Sequence, residues 1–253
     1  VLEDGQDVDV QSLQRIKRGV HFSLAINGGR AFDLRDAEGD SNYAKLRGAI
    51  QSWASGWHGG PADEWSLIVN DGRNNLNLRA SEDWLDALLA YEPNFRGMES
   101  GLESLTTAIQ MAETRVVPFG VDKAVLYLTT PPAVSQISEL YALAEKARAS
   151  GIQVSVWMIG DPVFLLDGQG GALIALTETT GGTFYHFSGA ETLPDPSTFL
   201  SDLGYVHVLQ YRSLVRKSGT FSLQISAQLD ESVVRGETAS FYVDVRPPQP
   251  VLV

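Results

Sequence analysis

The chain has 253 residues, 43% of them hydrophobic and 20% charged, with no cysteine and a formal net charge of −12. A chain this acidic has no electrostatic case for binding nucleic acid or anionic membranes, because neutralising phosphates needs a basic face; Arg15-Ile16-Lys17-Arg18 is the nearest approach to one and is short. The lack of cysteine removes disulfides, thiolate metal sites and cysteine nucleophiles together, and no apolar stretch approaches the ~20 residues of a membrane span.

In chain order, Val1-Leu2-Glu3 and Val8-Asp9-Val10 read as short strands either side of a turn at Asp4-Gly5. Val20–Ile26 reads as a buried strand running into Asn27-Gly28-Gly29-Arg30-Ala31 and a polar loop. Over Tyr43–Trp57, the apolar residues Leu46, Ala49, Ile50 and Trp53 have helical spacing. Trp65–Val69 is a short apolar strand, Asn70-Asp71-Gly72 a turn, and Leu76-Asn77-Leu78 an edge strand. Ser81 is placed to cap a helix through Tyr91, with Glu82 and Asp83 in its first turn.

A third helix is predicted over Gly101–Glu113. Lys123–Leu128, apolar after its lysine, has the signature of a central parallel strand covered on both faces. Helices follow over 133–150 and 170–180, strands over Ile152–Ile159 and Thr183–Phe187, and a short helix over Ser197–Leu203. Strands alternating with amphipathic helices imply right-handed crossovers and a doubly wound, mostly parallel α/β sheet. From about residue 205 the pattern becomes antiparallel, with strand-like runs at Val206–Ser213, Thr220–Leu229 and Ala239–Arg246. A three-stranded meander is marginal alone. The expected organisation is therefore an α/β domain over 20–204 inserted into a small β module built from 1–19 and 205–253. Pro247-Pro248-Gln249-Pro250 reads as the start of an interdomain linker, and a chain opening at Val1 without a signal-like segment reads as a piece of something longer.

Several local words of the 18–204 stretch resemble the von Willebrand factor type A (vWA) family. Lys123–Leu128 followed by Thr129-Thr130 resembles its central strand ending in Thr-Asp-Gly. Ala149-Ser150-Gly151-Ile152-Gln153-Val154 resembles its helix-to-strand step, and Thr180-Gly181-Gly182-Thr183-Phe184-Tyr185 its T-G-G segment. The flanking words Val1–Gln6 and Tyr211-Arg212-Ser213 resemble strands bracketing such domains in large bacterial extracytoplasmic proteins.

The resemblance implies a Rossmann-like fold, a protein-interaction function and a divalent-cation site fed by three loops. In the first loop, Asp-x-Ser-x-Ser is replaced by Asn27, Gly29 and Ala31. In the second, the threonine slot falls on Glu103, and in the third the aspartate slot holds Thr130. Mg²⁺ prefers anionic oxygen ligands in near-octahedral geometry. Gly29 and Ala31 offer no side-chain oxygen, and Asn27 and Thr130 offer neutral ones, so the expectation is a degenerate site with no metal and no cofactor. A weaker alternative is Mg²⁺ or Ca²⁺ at a shifted site drawn from Asp33, Asp36, Asp71, Glu99, Ser100 and Glu103, set against these being solvated loop acids.

Gly28-Gly29 and Gly168-Gln169-Gly170-Gly171 are neither a G-x-G-x-x-G nor a P-loop. No G-x-S-x-G occurs. Of the four histidines, His21, His186 and His207 fall within strands and His58 in a turn, which favours packing over catalysis. Trp57 and Trp84 are candidates for exposed contacts, set against ordinary core use. The expected function is a non-enzymatic interaction or adhesion-type module of a larger extracytoplasmic protein. Its partner is a protein, met at a rim of Asn27–Arg30, Asn70–Arg73, Met98–Glu103 and Thr129–Pro132, with Arg30 and Arg73 available to pair an acidic group. A purely architectural spacer is the other reading.

Overall fold

A computed structural model describes residues 1–99, 101–229 and 232–245. They divide into two units, Lys17–Tyr205 and Val1–Ile16 joined with the chain from Val206 on. In chain order the elements are β1 (Leu2–Glu3), β2 (Gln6–Asp7), β3 (Val10–Lys17), β4 (Val20–Asn27), α1 (Asn42–Ser55), β5 (Glu64–Val69), β6 (Asn75–Leu78), α2 (Ser81–Ala90), α3 (Glu103–Thr114), β7 (Asp122–Thr129), α4 (Ile137–Ala149), β8 (Ile152–Ile159), α5 (Gly168–Thr180), β9 (Phe184–Phe187), α6 (Ser197–Leu200), β10 (Tyr205–Tyr211), β11 (Gly219–Gln224), β12 (Ser226–Leu229), β13 (Ser232–Arg235) and β14 (Ala239–Val243).

The large unit is a sheet ordered β6-β5-β4-β7-β8-β9. Its strands pair in parallel except β6, which joins β5 antiparallel as an edge. Every residue of β4 is buried, as a strand covered on both faces requires. Phe22, Leu24 and Ile26 pack with residues of α1, α2 and α6 on one face. Ala25, Val125 and Tyr127 pack with α3, α4 and α5 on the other. The chain thus leaves β4 through α1 on one face and leaves β7 through α4 on the opposite face. The two crossovers diverge between neighbouring strands whose carboxyl ends, Asn27 and Thr129, are register partners. That divergence is the topological switch point at which open α/β sheets bind ligands.

Local chemistry explains some of the helix ends. The Ser41 hydroxyl caps α1 by accepting from the Ala44 N–H at 3.1 Å. The expected cap at Ser81 is corrected. The extended residue is Ala80, at φ −93° and ψ 129°, so the helix begins one position earlier than a Ser81 cap requires. Ser81 then lies inside the first turn, and its hydroxyl faces the Glu82 carboxylate at 3.4 Å. At Gly182 a Cβ would stand 1.9 Å from the Val154 carbonyl oxygen, so the return from α5 to the sheet admits only glycine. Trp84 is fully buried and the half-buried Trp57 donates its Nε1–H to Asp63 at 2.7 Å, so neither is the exposed contact considered from sequence. The two ends of this unit meet: the Arg18 and Gly19 N–H groups donate to the Gly204 carbonyl at 2.5 and 3.2 Å.

The small unit is built from both chain ends. Its four-stranded sheet runs β14-β11-β1-β2, with Leu2 opposite Gln224 and Phe221 opposite Phe241. The expected three-strand meander is corrected in three respects. β3, unread from sequence, pairs with β10; β11 ends at Gln224; and β12 forms a separate hairpin with β13. Arg246 and the proline-rich segment after it lie outside the described residues. The anchor of the small unit is Glu3, only 3% exposed. Its carboxylate accepts from Ser213 Oγ and Leu214 N–H, each at 2.7 Å, and from Tyr211 Oη at 3.2 Å. Burial by itself would raise the Glu3 pKa, but the bonds from Ser213, Leu214 and Tyr211 together bring it below the ordinary glutamate value.

A carboxyl with a folded pKa below its unfolded value stabilises the fold above the unfolded value and stops doing so as pH falls through the folded one. The small unit is therefore expected to loosen on acidification below the ordinary glutamate range. Glu3→Gln should lower its stability at neutral pH by about 1–3 kcal/mol and flatten the acid limb, measured by urea unfolding across pH with tryptophan-independent circular dichroism.

Candidate functional site

The carboxyl ends of β4 and β7 open onto a groove of about 510 Å³. Its lining includes Gly29, Arg30 and Ala31 from the loop after β4, Met98 and Glu99 from the segment before α3, and Thr130-Pro131-Pro132 after β7. Phe164, from the segment between β8 and α5, and Gln169, in the first turn of α5, complete it. Gln169 is held in place by donating from Nε2 to the Pro132 carbonyl at 2.6 Å. The groove thus gathers chain from four loops at the switch point.

The loop after β4 is shaped by aromatic packing. Phe32 is fully buried and stacks on Phe95 with centroids 4.9 Å apart and planes 29° apart. The Phe95 ring also covers Gly28, where a Cβ would come within 2.3 Å of Cδ1, so the chain can pass beneath the ring only as glycine. The Asn42 Nδ2 donates to the Ala31 carbonyl at 2.9 Å and fixes the far side of the turn. Tyr127 donates from Oη to the Gly101 carbonyl at 3.0 Å, tying the segment before α3 to β7.

The residues singled out from sequence separate into three groups. Gly29, Arg30, Ala31 and Thr130 line the groove together. Asn27 lies beneath it, 0% exposed, with both atoms of its amide lacking a hydrogen-bond partner. Glu103 and Asp71 stand apart. Glu103 is exposed in the first turn of α3, its carboxylate folded back over Gly101. Asp71, in the turn between β5 and β6, holds the Arg73 guanidinium at 2.6 Å and accepts the Arg73 N–H at 3.1 Å. The Arg73 hydrogen bond holds the Asp71 pKa below its ordinary value. Arg73, engaged there and lying over the Tyr91 ring, is not the available cation that the sequence suggested. Arg30 is exposed and makes no ion pair among the described residues.

Two further acids of the shifted-site alternative are also committed, while Glu99 lines the groove. Asp33 pairs with Arg96 at 2.6 Å, and Asp36 with Lys45 at 2.8 Å. Lys45 likewise lowers the Asp36 pKa. Among the described residues no group of three or more histidine or acidic side chains converges as metal ligands; Ser100 lies outside them. At the positions that the resemblance assigns to a cation, Asn27, Gly29, Ala31 and Thr130 offer a buried amide, a hydroxyl and backbone, whereas Mg²⁺ takes anionic oxygens. Phe164 and Gln169 were missed from sequence. The Gly160-Asp161-Pro162 break after β8 marks a loop there, but nothing in it says which way the loop folds.

The fold has counterparts among solved structures. The SpRpn10 VWA domain is similar over 74% of this chain and 93% of its own, at 13% identity and a TM-score of 0.50. BatB from Bacteroides thetaiotaomicron is similar over 67% of this chain and 90% of its own, at 18% identity and a TM-score of 0.47. Human Sec24c, a COPII-coat protein, is similar over 75% of this chain and 32% of its own, at 10% identity and a TM-score of 0.45. No family model matches the sequence, and no curated protein matches it significantly. The large unit has a vWA-type fold: a mostly parallel six-strand sheet in this order, flanked by helices on both faces.

Asn27 offers a direct test of the donor set. Asn27→Asp places a carboxylate where no side chain bonds it, so its pKa should rise and the variant should lose about 2 kcal/mol or more at neutral pH. The deficit should shrink as pH falls and the carboxyl takes up its proton, measured by chemical denaturation at two pH values.

Proposed function

We propose that the large unit is a non-enzymatic protein-interaction module that meets its partner at the groove between Arg30, Met98, Pro131 and Phe164, and does so without a divalent cation. The observation that carries this is the make-up of the groove at the switch point. Apolar side chains from Met98, Pro131, Pro132 and Phe164 line it with Arg30, which makes no ion pair among the described residues, and with the exposed Glu99. A site of this kind offers apolar contact area with one cation and one carboxylate at its rim, which suits a protein surface. It places no nucleophile beside a base, as group transfer needs. Asn27, which would head a metal shell, is sunk beneath the groove and carries no charge. The vWA-type fold is compatible with an interaction role.

The same reading places the module in a larger extracytoplasmic protein, on the strength of the flanking words Val1–Gln6 and Tyr211–Ser213. Among the described residues no helix is long and apolar enough to cross a membrane.

Two measurements test the proposal. The thermal midpoint should not move when millimolar Mg²⁺, Mn²⁺ or Ca²⁺ is added, because a ligand that does not bind the folded state cannot raise it; a rise of several degrees defeats the cation-free part. A photoreactive amino acid at Phe164 should cross-link one defined protein in the native host, with the yield unchanged by chelator and reduced by Arg30→Glu. An absent adduct, or one abolished by chelation, defeats the interaction part.

A further inference from the structure

At the opposite ends of the parallel strands lies a second pocket, of about 360 Å³, lined by His21, Asp63, Glu64, Arg79, Arg115 and Pro118 among others. The sheet register builds it. His21 stands opposite Glu64 on one side and Lys123 on the other. Arg79 directly follows β6, whose Leu78 is opposite Trp65, the residue after Glu64. His21, Glu64 and Lys123 therefore stand side by side on three adjacent strands, with Arg79 just past the end of the fourth at the same level of the sheet.

Both acids of this pocket are already satisfied. Asp63 accepts from the Val20 N–H at 2.8 Å, Trp57 Nε1 at 2.7 Å and the Gly60 N–H at 3.1 Å. Glu64 holds the Arg115 guanidinium, with Nε at 3.0 Å. What remains unmatched is basic. Arg79 is exposed and has no partner among the described residues. His21 is 2% exposed, and neither ring nitrogen has a hydrogen-bond partner. Asn77 faces the ring without reaching hydrogen-bond geometry. A buried polar group with no partner is costly, so its partner is expected from outside the chain.

We propose that this pocket binds a small oxyanion, a carboxylate or a phosphate, with Arg79 at its mouth and the His21 ring on its floor. This site is independent of the groove at the other end of the sheet. Guanidinium and imidazole N–H groups are the donors such oxygens take, and charge-assisted bonds of this kind are the strong ones. In the free protein, burial lowers the His21 pKa; Glu64 and Asn77 oppose this, and Arg115 and Lys123 add to it. A bound anion reverses the balance, since its charge favours the imidazolium and gives it a second N–H to donate. Binding should therefore strengthen as pH falls, with one proton taken up at His21.

The test follows the histidine ring signals of the full chain by NMR while sodium phosphate and, separately, sodium acetate are added at an ionic strength fixed with sodium chloride. The His21 signals should shift and saturate. Those of His186, whose Nε2 lies 2.8 Å from the Gly160 carbonyl at the other end of the sheet, should stay in place. The His21 pKa should rise by about half a unit or more at saturation. Arg79→Ala should weaken binding about tenfold, the loss of one charge-assisted bond, and leave the thermal midpoint unchanged. Saturation by phosphate alone assigns a phosphate ligand, and saturation by acetate alone a carboxylate. Shifts that follow chloride equally, or that persist unchanged in Arg79→Ala, overturn the proposal.

Discussion

The pairing of β4 with β7 is the constraint on which the large unit depends. Both strands are buried on both faces, so their backbone groups can be satisfied only by strand neighbours, and their side chains only by helices above and below. The register runs unbroken from Val20 opposite Asp122 to Asn27 opposite Thr129. Because the chain leaves β4 toward one face and β7 toward the other, no helix covers the shared carboxyl end. The groove is a consequence of topology before it is a matter of which residues line it.

The same pairing explains why the two ends of the sheet have different chemistry. Above, aromatic packing of Phe95 on Phe32 and over Gly28 closes the loop after β4 into an apolar turn, and Asn27 is sealed below. Below, the strand starts bring Lys123, His21 and Glu64 into one row, and Arg115 reaches in after α3 to meet Glu64. A largely apolar groove and a pocket with basic groups unmatched among the described residues can coexist because about the length of a strand separates them.

The fold was legible wherever a single face or both faces are buried. Lys123–Leu128 and Ile152–Ile159 announced themselves as apolar runs, and the structure extends the first by one residue at each end. Legibility failed where burial gives no pattern. In β3 the apolar residues Val10, Leu13 and Ile16 recur every third position, not every second, and they are 46%, 64% and 38% exposed. No strand periodicity exists there to be read. The short β13 is exposed throughout, and it too left no signal. At the site, the residues that follow a strand end could be placed from sequence, which is why Gly29, Ala31 and Thr130 fall together. Phe164 and Gln169 could not, because loop direction is set by contacts such as that between Gln169 and the Pro132 carbonyl. Asp71 was misplaced for the same reason: proximity to a strand terminus says nothing about the arginine two residues on.

The meeting of Arg18 and Gly19 with Gly204 bears on how the chain assembles. The small unit needs Leu2 beside Gln224, two positions separated by most of the polypeptide. Closing so long a loop in a flexible chain costs about 5 kcal/mol in entropy. Once the α/β portion has formed, its entry and exit strands emerge side by side, and most of that cost has already been met. The order of events is thereby biased: the inserted portion acts as a clasp that favours the pairing of the strands from the two ends once it has shut.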